Sequence, residues 1–323
     1  MFFSTFRRSF LPISLEARVS NGGTERASMD IDEELGRLRE LERTTLTACK
    51  VCADGRCLEP VLDPEYMRIR MSLVDTFERV ATAYGLRWET VEYAIAWTDT
   101  FRARVKLGSR LPVYLGGMAA LSLAIKYTTV CRFRLDELVA KCMHHLDTRW
   151  KSVSLTHSVE FTVREVAAAE FYLAAVLEWR MSAALPSSFL EVFFAKGIQA
   201  SGDTVEGGDA PAAEQWAGVC KMASVLCQSG TFSGLSCVHG DSVLAAASIA
   251  TARCISKIEP SWPAELQERF GLDEATIDPC VREVTRVYNM PTQHPADARD
   301  DRVVGAKAQV KTQEPQRQAR RCG

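Results

Sequence analysis

Between about residue 60 and residue 290, apolar positions recur at helical spacing, and no stretch of clean alternation marks a strand. Pro64–Tyr84 places Met67, Met71, Val74, Phe77, Val80 and Ala81 on one stripe and stops at Gly85, a natural C-terminal cap. Residues 89–105 repeat the pattern with Val91, Ile95, Thr98, Phe101 and Val105. Leu111–Thr128 is apolar nearly all round, which predicts a helix at the centre of a bundle. Its Gly116, Gly117, Ala119, Ala120 and Ala124 allow close approach of neighbours. Helices over 133–144 and 163–180 complete a set of five, the last with Val166, Ala169, Leu173, Val176 and Leu177 inward.

After Pro186 the pattern predicts five more helices: 187–200, then, beyond a glycine- and acid-rich link at 202–209, 212–229, 241–258, 263–270 and 273–288. The third helix of each half is rich in small residues and apolar round most of its circumference. This internal similarity predicts an all-α chain of two tandem five-helix domains, at 59–185 and 186–290. Residues 1–58 read as a mostly disordered tail with one short amphipathic helix at 31–46, carrying Leu35, Leu38, Leu41 and Leu46. Residues 291–323 read as a second disordered tail. The first twenty residues, with Arg7, Arg8 and no acid before Glu16, faintly resemble a transit peptide, but a plain tail is the preferred reading.

Composition narrows the function. The chain has 323 residues, 47% of them hydrophobic, and a net charge of −2, which gives no general drive toward nucleic acid or an anionic membrane. The longest apolar run, 111–125, is 15 residues, short of the roughly 20 a membrane span needs. Eleven scattered cysteines, an odd number, read as reduced thiols in a protein of the nucleus or cytoplasm. No G-x-x-x-x-G-K-[ST] loop and no H-E-x-x-H is present, so no enzyme activity, cofactor or metal is expected. His144-His145 beside Asp147 reads as a helix end.

The motifs resemble the cyclins, the regulatory subunits of cyclin-dependent kinases. Arg70-Met-Ser-Leu-Val-Asp75-Thr-Phe is similar to the cyclin signature M-R-x-x-L-V-D-W, Thr98-Asp99-Thr-Phe101 to L-D-R-F, and Leu-Ser-Leu-Ala124-Ile-Lys126-Tyr127 to L-A-S-K-Y/F. Thr162-Val-Arg-Glu165-Val-Ala-Ala-Ala-Glu170 and the stretch from Trp179 through Pro186 to Leu190 resemble the segments that close the cyclin box. Order and spacing hold over roughly residues 60–195, apart from a longer link at 145–160. In the second half, Ala245-Ala-Ala-Ser-Ile-Ala, Trp262-Pro-Ala-Glu-Leu, Phe270-Gly271 and Cys280-Val-Arg-Glu-Val resemble the carboxy-terminal cyclin fold.

Arg70 and Asp99 sit on largely apolar helix faces, where an unpaired charge is expensive, so they should form a structural ion pair, as the resemblance also implies. The resemblance further implies that Lys126 and Glu170 hold the catalytic subunit of a cyclin-dependent protein kinase, beside an apolar surface with Tyr127, Trp179 and Met181. The substrate-docking patch of mitotic-type cyclins would fall at Leu73, Thr76, Arg79 and Tyr114. Loss of the indole and reversal of the acid there predict a degenerate patch. Arg8-Ser-Phe-Leu11 and Arg43-Thr-Thr-Leu46 match the R-x-x-L pattern that ubiquitin ligases read in a flexible tail. Cys49-x-x-Cys52 with Cys57 raises an alternative, a transcription-factor core of the TFIIB type that binds DNA. A zinc ribbon would need a second C-x-x-C about 15–20 residues on, and none occurs before Cys131.

Overall fold

The computed structural model describes residues 24–50, 63–105, 111–129, 133–150, 161–205 and 210–289. Twelve helices are present among them. They are α1 Thr24–Lys50, α2 Pro64–Tyr84, α3 Trp88–Arg104, α4 Leu111–Thr128, α5 Leu135–Trp150, α6 Val163–Val176, α7 Pro186–Lys196, α8 Ala213–Phe232, α9 Leu235–His239, α10 Asp241–Ile255, α11 Ala264–Phe270 and α12 Glu274–Asn289. A two-residue antiparallel ladder joins β1 Thr204–Val205 to β2 Ile258–Glu259.

Helices α2 to α6 form one bundle round α4, whose Val113, Met118, Ala119, Ala120, Leu121, Ala124 and Ile125 are buried. Close approach explains the glycines. A Cβ at Gly117 would come within 2.7 Å of the Leu73 side chain, and one at Gly116 within 2.8 Å of the Phe101 ring. Helix α10 occupies the same central place in the second bundle, formed by α7 to α12, with Leu244 to Ala247 and Ile249 fully buried. Gly85, at φ 63°, ends α2 in the left-handed conformation that glycine adopts freely.

Several expectations need correction. The α2 stripe turns so that Met71 faces solvent while Tyr66, Ile69 and Leu73 face the core. The fifth helix stops at Val176 rather than at 180, because residues 177–179 form a tight turn with Glu178 and Trp179 at positive φ. The second half holds six helices, the extra one being the five-residue α9. The helix expected at 31–46 runs from Thr24 to Lys50, and its Leu35 and Leu38 are part of the second core rather than of a free tail. Asp32 pairs with Lys196, and Arg39 donates to the Phe270 carbonyl. Arg43-Thr-Thr-Leu46 therefore lies in a docked helix, with Arg43 paired to Glu40 at 2.7 Å. Arg8 to Leu11, Cys52 and Cys57 fall outside the described residues.

Candidate functional site

Helix α4 is buried through its middle, and its last turn reaches water at Lys126 and Tyr127. There the Lys126 ammonium donates to Glu170 Oε2 at 2.6 Å. Glu170 owes its place to the start of α6. Thr162 caps the helix, accepting the Glu165 N–H at 3.2 Å, while Glu165 accepts the Thr162 N–H at 2.7 Å. With that end fixed, Val166, Glu170 and Leu173 all turn toward α4. The pair is lopsided: the Lys126 side chain is 46% exposed and that of Glu170 only 11%. Glu170 Oε1 is buried without a hydrogen-bond partner. A buried acceptor left without a donor costs about 1–3 kcal/mol.

Large apolar side chains lie on the same elements as this pair. Tyr127 stands at the end of α4 with its ring edge against Tyr93, at 5.1 Å, and Trp97, at 5.8 Å, and its hydroxyl lies 3.4 Å from Ser182 Oγ. Phe171, 68% exposed, packs edge-on against Trp179, 62% exposed, at 5.6 Å. The turn after α6 presents Trp179: its φ is 60°, and its N–H closes on the Ala174 carbonyl at 2.8 Å. Tyr172 is exposed and meets the Phe101 ring at 6.0 Å, whereas Met181 is half-buried. Five of the nine exposed large hydrophobic residues among those described (Tyr127, Val163, Phe171, Tyr172 and Trp179) belong to the end of α4, to α6 or to the turn after it. An exposed apolar cluster of this kind marks a protein-binding surface. Sequence reasoning missed Phe171 and Tyr172. Their signal is adjacent aromatics on a helix whose other faces are already apolar, which leaves a bulky ring no inward place.

Arg70 and Asp99 sit in the interior, away from that surface. Arg70 Nε and Nη2 donate to the two oxygens of Asp99 at 2.9 and 3.0 Å. Its remaining donors reach the Phe232 and Thr231 carbonyls at the end of α8, at 2.6 and 2.9 Å. Tyr66 Oη donates to Asp99 at 2.6 Å and the Cys237 thiol at 3.3 Å. Burial alone would weaken the guanidinium's hold on its proton, but the Asp99 charge reverses this and raises its pKa. The group thus ties the first bundle to the second and caps the negative end of α8.

Residues that the resemblance places at the substrate-docking patch are mostly closed off. Leu73, Thr76 and Tyr114 are buried. Thr76 Oγ1 donates to the Ser72 carbonyl at 2.9 Å, and Arg79 Nε donates to Asp75 at 3.0 Å. His144 and His145 touch edge to face at 5.4 Å. Among the described residues no three His, Cys, Asp or Glu side chains converge on a possible metal position, and no helix is long and apolar enough to cross a membrane.

Comparison with known proteins fits this architecture. Residues 40–182 match the family model of the cyclin N-terminal domain, and residues 184–305 that of the cyclin C-terminal domain. Cyclin-B1-3 of Arabidopsis thaliana is 23% identical over 222 residues, 69% of this chain and 46% of the relative. G2/mitotic-specific cyclin-1 of Antirrhinum majus is 24% identical over 215 residues, 67% of this chain and 39% of the relative. The chain thus spans less than half the length of these relatives. A viral cyclin from herpesvirus saimiri superposes with a TM-score of 0.48 at 15% identity, covering 68% of this chain and 86% of that one. With family models matching both bundles in order and together spanning most of its length, the chain belongs to the cyclin family.

Proposed function

We propose that this chain binds the catalytic subunit of a cyclin-dependent protein kinase through the Lys126–Glu170 surface and activates it in cell-cycle control, in the nucleus or cytoplasm. The carrying observation is the exposed Lys126 ammonium, held by the mostly buried Glu170 carboxylate, on the same two elements as the exposed rings of Tyr127 and Phe171 and next to the turn that presents Trp179. An exposed charge supplies orientation and aromatic area supplies affinity.

Catalysis in a protein kinase needs an ion pair from its regulatory helix and a correctly placed activation loop. A surface that binds the state with that helix turned inward more tightly than the inactive state shifts the population toward activity. No chemistry is required of Lys126 or Glu170. They fix the angle at which the kinase helix sits.

Reversing the exposed charge tests this. Lys126→Glu sets two carboxylates side by side and should abolish both co-purification of a kinase and activation of it, while the fold persists by circular dichroism. Unchanged activation by the Lys126→Glu protein contradicts the assignment. The R-x-x-L segment at Arg43 is held in a helix, so recognition by a ubiquitin ligase through it would require that helix to undock.

A further inference from the structure

The turn that presents Trp179 is held from outside its own helix. Glu178 N–H donates to the Ala175 carbonyl at 2.9 Å and Trp179 N–H to the Ala174 carbonyl at 2.8 Å, the pair of bonds with which many helices end. That ending puts the residue after the cap at positive φ, where glycine is the usual choice. Here it is Glu178, at φ 54°, and Trp179 follows at φ 60°. Two successive side chains in the left-handed region are unfavourable by themselves and persist where surrounding contacts impose them.

Arg104, the last residue of α3, supplies such contacts. The Arg180 N–H turns to the Leu177 carbonyl at 3.0 Å, and the Val176 carbonyl at the end of α6 takes its donor from Arg104 Nη1, at 2.6 Å. The same Nη1 lies 3.6 Å from Glu178 Oε1. A cation suits the negative end of a helix, and the ion pair gives the glutamate at φ 54° a hold that glycine would lack. Arg180 also comes within 3.6 Å of Glu178, but its side chain is 77% exposed and belongs to the turn itself. That of Arg104 is 25% exposed and rooted in another element. One turn before Arg104, the Phe101 ring meets Tyr172. The end of α3 thus braces α6 twice, at Tyr172 and at the turn. Trp179 itself is mostly exposed, with its ring edge-on to Phe171, so the backbone of the turn sets its direction.

We propose that Arg104 is a positioning residue for partner docking: by gripping the Val176 carbonyl and the Glu178 carboxylate it fixes the left-handed turn and aims the Trp179 ring at the kinase. This rests on the reading of the Lys126–Glu170 surface given above. An aromatic anchor held in place before the partner arrives spares the complex the cost of ordering it.

The test is a double-substitution cycle on the full chain with the cyclin-dependent kinase it recovers, joined to fluorine NMR of the free chain labelled with fluorotryptophan. Arg104→Ala should weaken kinase binding by about fivefold or more, and should cost nothing further once Trp179→Ala has removed the ring. In the free chain the Trp179 resonance, identified by its loss in Trp179→Phe, should shift or broaden in Arg104→Ala. The resonances of Trp88 and Trp262, one in each core, should stay in place and report an intact fold. Arg104→Gln, which keeps a donor of shorter reach for the Val176 carbonyl, decides the matter in the same way if Arg104→Ala fails to fold. Binding lost in Trp179→Ala and kept in Arg104→Ala overturns the brace alone. An equal loss from Arg104→Ala with and without the Trp179 ring also overturns it, since Arg104 would then touch the kinase directly. Trp179→Ala that binds as tightly as the unaltered chain overturns the docking surface itself.

Discussion

Arg70 shows what one buried charge does in this chain. It neutralises Asp99 and fills two carbonyls of α8. Arg70→Ala leaves the buried Asp99 without its countercharge and takes a donor from two carbonyls, and should cost about 3–5 kcal/mol, read by urea unfolding. Removing Asp99 as well should cost less than the two single changes together, because the second substitution removes a charge the first had stranded. Trp179→Ala is the opposite case. Its ring is mostly exposed, so unfolding should shift by under about 1 kcal/mol while kinase binding weakens by 2 kcal/mol or more, as for a central aromatic anchor. Arg70 and Asp99 were legible in the sequence as charges on largely apolar faces, whereas Lys126 and Glu170 were marked as a pair only by the resemblance to cyclins. The open Oε1 of Glu170 was not legible, since only packing shows which oxygen is enclosed.

At the scale of elements, periodicity located α2, α4 and α10 closely, because their ends carry clear signals: Pro64 and Gly85 for α2, and an unbroken apolar circumference for the two central helices. It failed where tertiary contacts decide. Helix α1 is polar on average and looked like a tail, yet Leu35 and Leu38 complete the second core. Leu38→Ala should therefore cost about 2–5 kcal/mol, the range for a fully enclosed leucine, whereas a leucine in a free tail would cost nothing; a thermal melt separates the two. The turn at 177–179 was equally hidden. Glu and Trp are poor candidates for positive φ, and the surrounding hydrogen bonds to Ala174 and Ala175 impose it.

For the whole molecule, the two bundles were readable from their repeated small-residue helices, and the joint between them was not. That joint rests on pairs far apart in the chain: Arg70 with Phe232, the Trp88 ring stacked on Phe232 at 5.3 Å, and Glu92 with Ser187. No local pattern announces such pairs. The near-zero net charge suits the proposed partner surface, which would work by apolar area and one oriented ion pair. The most direct test of that surface is an amide-exchange footprint of the chain in complex with the cyclin-dependent kinase it recovers. Binding should protect the end of α4 round Lys126, α6 from Glu170 onward and the turn at Trp179. A complex that protects the second bundle and leaves these segments exchanging freely would contradict the account.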